Sequence, residues 1–579
     1  MRGWHRRKAV ASSLMITGLD QWPRDQMNRI SEPALEAILN VDELLEPPSA
    51  NEDDSLGSAI PAIRFPEWMS CSDCGRMGTV RRGHFHESDS GVVVCSANSC
   101  QGYGLPARFV VACEGEKGNG EARDNRGHIS DFPWERWCHL DFGENDEIKQ
   151  VECKNPQLFL KSVKGKTGLD GLRVECRCEQ GNSLKMALRA SHKHLFSCQG
   201  EMPWLRLAGV KKSACDASVR VLLRGATNVY FPISTSVISI PPWSNPLYQK
   251  MGQDKKTDGF LAAIKGGLAA KMFVPLIKGA SWAATYTDDQ IEDALIRFAN
   301  WGKQQVGKTF DDRLSEERHA IVMGNVCKSQ DGDQFLARPV PAESYGQLKG
   351  WVENLVQVER LREVRALKEF TRVHDCSNVK TAATLSKSAN WLPTINVFGE
   401  GIYFELAQNK LSELEQHFTN RLSHLKARAE SKIMPEYKSS ASFVALHTLS
   451  HLLIRQLSLE CGYSSASLKE RIYVKQGEWA GVLIYTASGS SDGTLGGLVQ
   501  QSKPETLARL VRDALQEAAW CSSDPLCIES EGQGSDALNL AACHACGLIT
   551  ETSCSERNSF LDRGVLIGAG DIPGYFESF

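Results

Sequence analysis

Along this chain of 579 residues the period of the apolar positions changes more than once, and each change predicts a different kind of element. Short runs rich in β-branched residues over 219–224, 228–232 and 237–242 read as strands closed by prolines. From 246 to 440 the recurrence becomes helical. Thr287 and Gln290 form a capping box ahead of Ile291, Leu295 and Phe298, and Leu361, Val364, Leu367 and Phe370 follow at helical spacing. Residues 405–433 predict a charged helix with Leu411, Leu414, Phe418 and Leu422 on one side. The last stretch mixes a helix from Ser442, a strand over 482–486 and a helix around 504–520. A leader, 1–60, ends in a polar, proline-marked linker. The pattern predicts a multidomain α+β protein divided at 1–60, 61–150, 151–245, 246–440 (mainly helical) and 441–579 (a C-terminal α/β module).

Composition narrows the class. With 42% apolar and 23% charged residues the chain is an ordinary globular protein, and its formal charge of -4 offers no global attraction to nucleic acid, so any such contact must be local. No apolar run is long enough to span a membrane. Basic residues within 1–8 followed by 9–19 imitate a signal peptide, but Ser12, Ser13 and Thr17 interrupt the apolar stretch and no small-x-small cleavage site follows. The thiol usage also favours a reducing compartment, so the expected location is the cytoplasm.

Cysteine spacing then changes the picture. Thirteen of the nineteen cysteines fall into three clusters with the spacing of metal knuckles: Cys71, Cys74, Cys95 and Cys100; Cys176, Cys178, Cys198 and Cys215; and Cys521, Cys527, Cys543, Cys546 and Cys554. Gly75 follows the first CxxC and permits the tight turn a knuckle needs. Four thiolates around zinc close the site to substrate, so the clusters read as staples holding small β-rich modules, with about three zinc ions per chain. The single cysteines Cys113, Cys138, Cys153, Cys327, Cys376 and Cys461 read as small buried hydrophobes.

Other constellations suggest enzymatic readings. Residues 302–309 satisfy the G-x4-G-K-[ST] phosphate-loop pattern from Gly302 to Lys308 and Thr309, but a phosphate loop requires a strand before it, and 291–301 carries helical spacing. His447 and His451, four apart on a predicted helix, can face one ion with Asp492 as a third ligand. The blander reading places them on an apolar stripe with Leu446, Leu449 and Leu453, satisfied by hydrogen bonds. Gly489, Gly493, Gly496 and Gly497 read as a flexible turn. Basic residues 360–372 alternate with glutamates as on a solvated helix, where Arg365 and Arg372 project from one face as candidate DNA-phosphate contacts.

Several motifs carry a resemblance. Phe65-Pro66-Glu67-Trp68, the segments 128–134 and 224–232, Leu361-Arg362-Glu363-Val364 with Phe370-Thr371-Arg372, and His447-Thr448-Leu449-Ser450-His451 with Ala542-Cys543-His544-Ala545-Cys546 resemble, in order, the DrmB component of the DISARM antiphage system. The glycine-rich opening of that family is replaced here by a basic one. The resemblance implies a non-catalytic accessory subunit that joins a DrmA-like DNA helicase as a heterodimer and helps hold DNA during restriction of phage genomes. The alternative is an enzyme in its own right, a metal-dependent nuclease or a P-loop NTPase. The C-terminal module is also similar to the zinc-binding domain of Mrf-type helicases. That similarity implies Cys527, Cys543, Cys546 and Cys554 as the third ligand set, with Cys521 aside.

Overall fold

In a computed structural model of the chain the described residues are 13–48, 60–88, 91–115, 123–124, 126–143, 148–189, 195–304, 308–325, 332–374, 379–432, 434–487, 497–534 and 537–579. The chain is a mixture of helices and strands. It divides into two compact units, one drawn from Met1–Met27, Pro47–Ser234 and Leu367–Asn390, the other from Asn28–Glu46, Thr235–Ala366 and Trp391–Phe579.

The first unit is built of short sheets. Its centre is the strand Phe109–Cys113, paired antiparallel with Ile129–Asp131 on one side and Val219–Leu223 on the other. Every residue of this strand is buried. Because a strand alternates faces, Phe109, Val111 and Cys113 enter one apolar core while Val110 and Ala112 enter another. The first core is aromatic, with Phe132 edge-on to Trp134 at 4.7 Å and to Trp137 at 5.8 Å.

The second unit is organised on an antiparallel sheet in the order Val352–Thr371 (as far as Ala366), Trp391–Leu406, Trp479–Thr486, Leu468–Lys475. One face, with Ile402, Phe404, Val482 and Ile484, packs with apolar residues of the helices Gln408–Ser431, Ala441–Cys461 and Pro504–Ala518. The other, with Tyr403, Leu483 and Tyr485, packs with Ile238, Ile321 and Phe335. A separate helical core, including Leu247, Val274, Ile291 and Leu295, gathers the helices between Pro246 and Gln304.

The structure corrects the expected helical middle. Helices do occupy it as far as Met323, and the Thr287–Gln290 capping box is present, with Gln290 N donating to Thr287 Oγ1 at 3.3 Å and Thr287 N to Gln290 Oε1 at 2.8 Å. Beyond that point the residues Leu361, Val364 and Phe370 lie on the strand Val352–Thr371, and Trp391–Leu406 is also a strand. Two causes hid the alternation. The strand has protein on both faces, so Leu361, Arg362, Glu363 and Val364 are all buried in succession, and a register shift between Val358 and Leu361 breaks the period of two.

The charged residues in that sheet are fixed by internal partners. Glu317, fully buried on the helix Phe310–Met323, accepts from Ile238 N at 2.9 Å, from Arg471 Nε at 2.8 Å and from the Tyr473 hydroxyl at 3.1 Å. Removing one member strands the others without water. Glu317→Ala is therefore expected to destabilise the protein by about 3–5 kcal/mol in denaturant unfolding, far beyond the effect of an exposed ion pair.

Candidate metal centres

Cys71, Cys74, Cys95 and Cys100 converge, all four sulfurs lying within 4.8 Å of one another. The strand Met69–Cys71 delivers the first ligand and the hairpin Phe85–Glu87/Val93–Cys95 the third. Gly75 closes the knuckle at φ +71°, and a β-carbon there would lie 2.4 Å from the Leu160 carbonyl oxygen. Cys71 and Cys100 are 3.5 Å apart and Cys74 and Cys95 3.8 Å. Sulfurs at the corners of a tetrahedron with ~2.3 Å metal bonds stand about 3.8 Å apart, so the set fits a zinc-sized ion.

The second expected cluster separates into two. Cys176 and Cys178 converge with His139 and Cys153, whereas Cys198 and Cys215 converge with Cys113 and His128. Cys178 Sγ lies 3.3 Å from His139 Nε2 and Cys153 Sγ 4.0 Å from Cys176 Sγ. In the other group Cys198 Sγ is 3.5 Å from His128 Nδ1 and Cys113 Sγ 3.8 Å from Cys215 Sγ. Each histidine is oriented through its second nitrogen: His139 Nδ1 lies 2.6 Å from the Glu135 carbonyl, and His128 Nε2 lies 2.8 Å from Ser213 Oγ.

Both histidines flank one short piece of chain. His128 precedes the strand Ile129–Asp131, and His139 caps the helix Trp134–Cys138, whose tryptophans anchor it in the aromatic core. Two of the supposedly solitary cysteines, Cys113 and Cys153, are thus cluster members. Cys138 is not: it is buried, its thiol faces the Val174 and Gln180 carbonyls at 3.7 and 3.5 Å, and burial pushes its pKa up to about 12. Cys327 and Cys376 lie outside the described residues.

In the C-terminal module the ligand set also differs from expectation. Cys521 joins Cys527, Cys543 and Cys546, with Cys521 and Cys543 3.5 Å apart and Cys527 and Cys546 3.7 Å apart. Asp524 holds the first loop by accepting from Cys521 N at 2.8 Å and Ile528 N at 3.1 Å, and it is ion-paired to the buried Arg563. Cys554 lies instead with His447, His451 and Glu470, the last three buried and Cys554 half-buried. His447 Nε2 is 3.2 Å from Cys554 Sγ and 3.0 Å from Glu470 Oε1. Burial pushes the Glu470 carboxyl up, but the two imidazoles outweigh it and hold the group well below the usual carboxylate range.

The groups are nested in sequence. All ligands of the His139 group fall between His128 and Cys198, and Cys521, Cys527, Cys543 and Cys546 all fall between Glu470 and Cys554.

The remaining candidates are placed differently from their expected roles. Residues 305–307 of the phosphate-loop pattern lie outside the described residues, but the pattern joins the helices Asp288–Gln304 and Phe310–Met323 without a preceding strand. Thr309 caps the second helix, and Lys308 pairs with Glu316. Asp492, with Gly489, Gly493 and Gly496, lies outside the described residues, and Gly497 opens a short helix, Gly497–Gln500.

The helical repeat that would put Arg365 and Arg372 on one face is absent, since Arg365 lies on the strand Val352–Thr371 and Arg372 follows its last residue. Arg365 pairs with Glu363 at 2.6 Å. Arg372 is 3% exposed, donates to the Gly127 carbonyl at 2.9 Å and to that of Val229, and lies over the Phe370 ring at 4.7 Å.

Comparison with known proteins is consistent with this geometry. A DISARM protein DrmB of Bacillus paralicheniformis is 33% identical over 594 aligned residues, which cover 96% of this chain and 97% of that protein. The chain belongs to the DrmB family. Residues 5–231 match a domain of unknown function, DUF8724, which contains the first three groups. Residues 449–547 match the MrfA Zn-binding domain, which includes Cys521, Cys527, Cys543 and Cys546 and ends before Cys554. The C-terminal module is thus a zinc-binding domain of known type.

The separation of the second cluster has a direct test. Cys113→Ser and Cys153→Ser are each expected to lower the bound zinc by one ion, and the double variant by two, in metal analysis of the purified chain. One ion shared by Cys176, Cys178, Cys198 and Cys215 would leave both single variants fully loaded. Arg372→Ala is expected to cost about 2–4 kcal/mol in denaturant unfolding, because it leaves buried carbonyls without a donor.

Proposed function

We propose that this DrmB-family chain is a non-catalytic accessory subunit of DISARM antiphage defence that partners a DrmA-like DNA helicase, contributing grip on DNA during restriction of phage genomes. The observation that carries the reading is the completeness of the cysteine-dominated groups. Each of the four supplies four protein donors, the arrangement of a structural zinc site, with no position left for substrate. The likeness to a DISARM protein extends over nearly the whole chain, which favours a common role over a shared module. The placement of Lys308 and Thr309 after one helix and at the start of another weighs against nucleotide hydrolysis, since a phosphate loop takes its geometry from the end of a strand.

In this reading zinc builds the surfaces that bind, and the helicase supplies the motor. Zinc is bound at each of these four groups, and the subunit works in the cytoplasm, where incoming phage DNA and reduced thiols occur together. DNA contact belongs to surfaces other than Arg365 and Arg372, whose partners are internal.

The helicase partner with this chain should bind DNA about tenfold or more tightly than the helicase alone at one fixed salt concentration, as expected for two linked footprints. Equal affinity with and without the chain would remove the grip role. ATP turnover or DNA cleavage by the purified chain alone would replace the accessory reading by an enzymatic one.

A further inference from the structure

The helix Ala441–Cys461 is buried throughout 441–454, so His447 and His451 have no route to water. Spaced by one helical turn, both rings meet Glu470 from the strand Leu468–Lys475 and Cys554 from the loop beyond the Cys543–Cys546 knuckle. We propose that His447, His451, Glu470 and Cys554 form a second, closed zinc centre in the C-terminal module, distinct from the four-cysteine site beside it. The match to the zinc-binding domain, which stops at residue 547, does not include Cys554 or His447.

Hydrogen-bond chemistry is the first argument. His451 Nδ1 lies 2.8 Å from the Gly547 carbonyl oxygen, which can only accept, so Nδ1 carries the proton. The neutral ring then turns a lone pair at Nε2 toward Glu470 Oε1, 3.6 Å away, and Nε2 has no hydrogen-bond partner. A lone pair and a carboxylate oxygen repel across such a gap unless a cation lies between them. Protonating Nε2 is a poor alternative, because 3.6 Å exceeds a hydrogen bond and the ring would be charged where no water reaches it.

Charge is the second argument. Cys554 Sγ accepts from Glu556 N at 3.2 Å and Asn558 N at 3.1 Å, the amide-to-sulfur pattern also found at Cys113 and Cys198. Zinc takes cysteine as a thiolate, a form to which these two amides can donate. One thiolate, one carboxylate and two neutral imidazoles sum to the charge that a single divalent ion cancels, which removes the cost of a buried unpaired anion. The mixture of nitrogen, oxygen and sulfur lies within zinc's ligand range and excludes magnesium and calcium, which take oxygen alone.

Such an ion joins the central helix, an edge strand of the sheet and the C-terminal loop. Four protein donors, three of them from buried residues, make it a structural centre, not the open site of a hydrolase.

Native mass spectrometry of the full chain, purified with zinc and without chelator, should count five ions, one for each group. Cys554→Ala and Glu470→Gln should each remove one, Cys71→Ser should remove a different one, and Cys554→Ala combined with Cys71→Ser should remove two. Four ions in the wild type, unchanged in Cys554→Ala while Cys71→Ser still loses one, would overturn the proposal and leave the cysteine-rich sites standing. Should the variants fail to fold, zinc-edge anomalous diffraction from wild-type crystals decides. A peak within bonding distance of all four donors is expected, and its absence beside peaks at the cysteine-rich groups refutes the centre.

Discussion

Convergence of donor atoms from distant parts of the chain is the constraint on which the rest of this molecule depends. The first unit consists largely of two- and three-stranded sheets, too small to bury much apolar surface one at a time. Cys113 and Cys215 are 102 residues apart and yet 3.8 Å from one another. Metal–thiolate closure of the order of 10 kcal/mol per ion stabilises such a join far more than one buried side chain does. The strand Phe109–Cys113 shows how packing and ligation cooperate: its alternating side chains belong to two cores, and its last residue is a donor.

How much of this was legible in the sequence differs between the sites for physical reasons. Cys71, Cys74, Cys95 and Cys100 converge as their spacing suggests, because a compact knuckle draws all its ligands from one short stretch. The next eight donors were hidden by interleaving. Cys176, Cys178, Cys198 and Cys215 contain half of each of two groups, and half plus half imitates one complete set. The missing members looked solitary. A usable signal was present all the same: His128 and His139 lie in or just beyond the segment that carried the family resemblance, and a Cys-x-Cys pair supplies only two of four donors.

The C-terminal groups follow the same logic. The histidine pair was visible from its four-residue spacing, but its carboxylate comes from a strand, and Cys554 was given to the neighbouring set on the likeness to the zinc-binding domain of Mrf-type helicases. The fold was legible where one face of an element meets solvent, as in Gln408–Ser431 with its buried Leu411, Leu414, Phe418 and Leu422. It was illegible in Val352–Thr371, where burial on both faces erased the alternation and a bulge shifted its phase.

The nesting of donor groups bears on how the protein is made. During synthesis the inner group of each nested pair is the first to be completed, so the His139 group has all its donors while Cys198 and Cys215 are still unmade. Likewise the four-cysteine group at the C-terminus is complete before Cys554 emerges. The outer group, in each case, can close only around an inner group that is already available to fold. Vectorial translation therefore supplies an order of assembly that refolding from denaturant lacks, where half-sets such as Cys176 and Cys178 with Cys198 and Cys215 are free to capture an ion together.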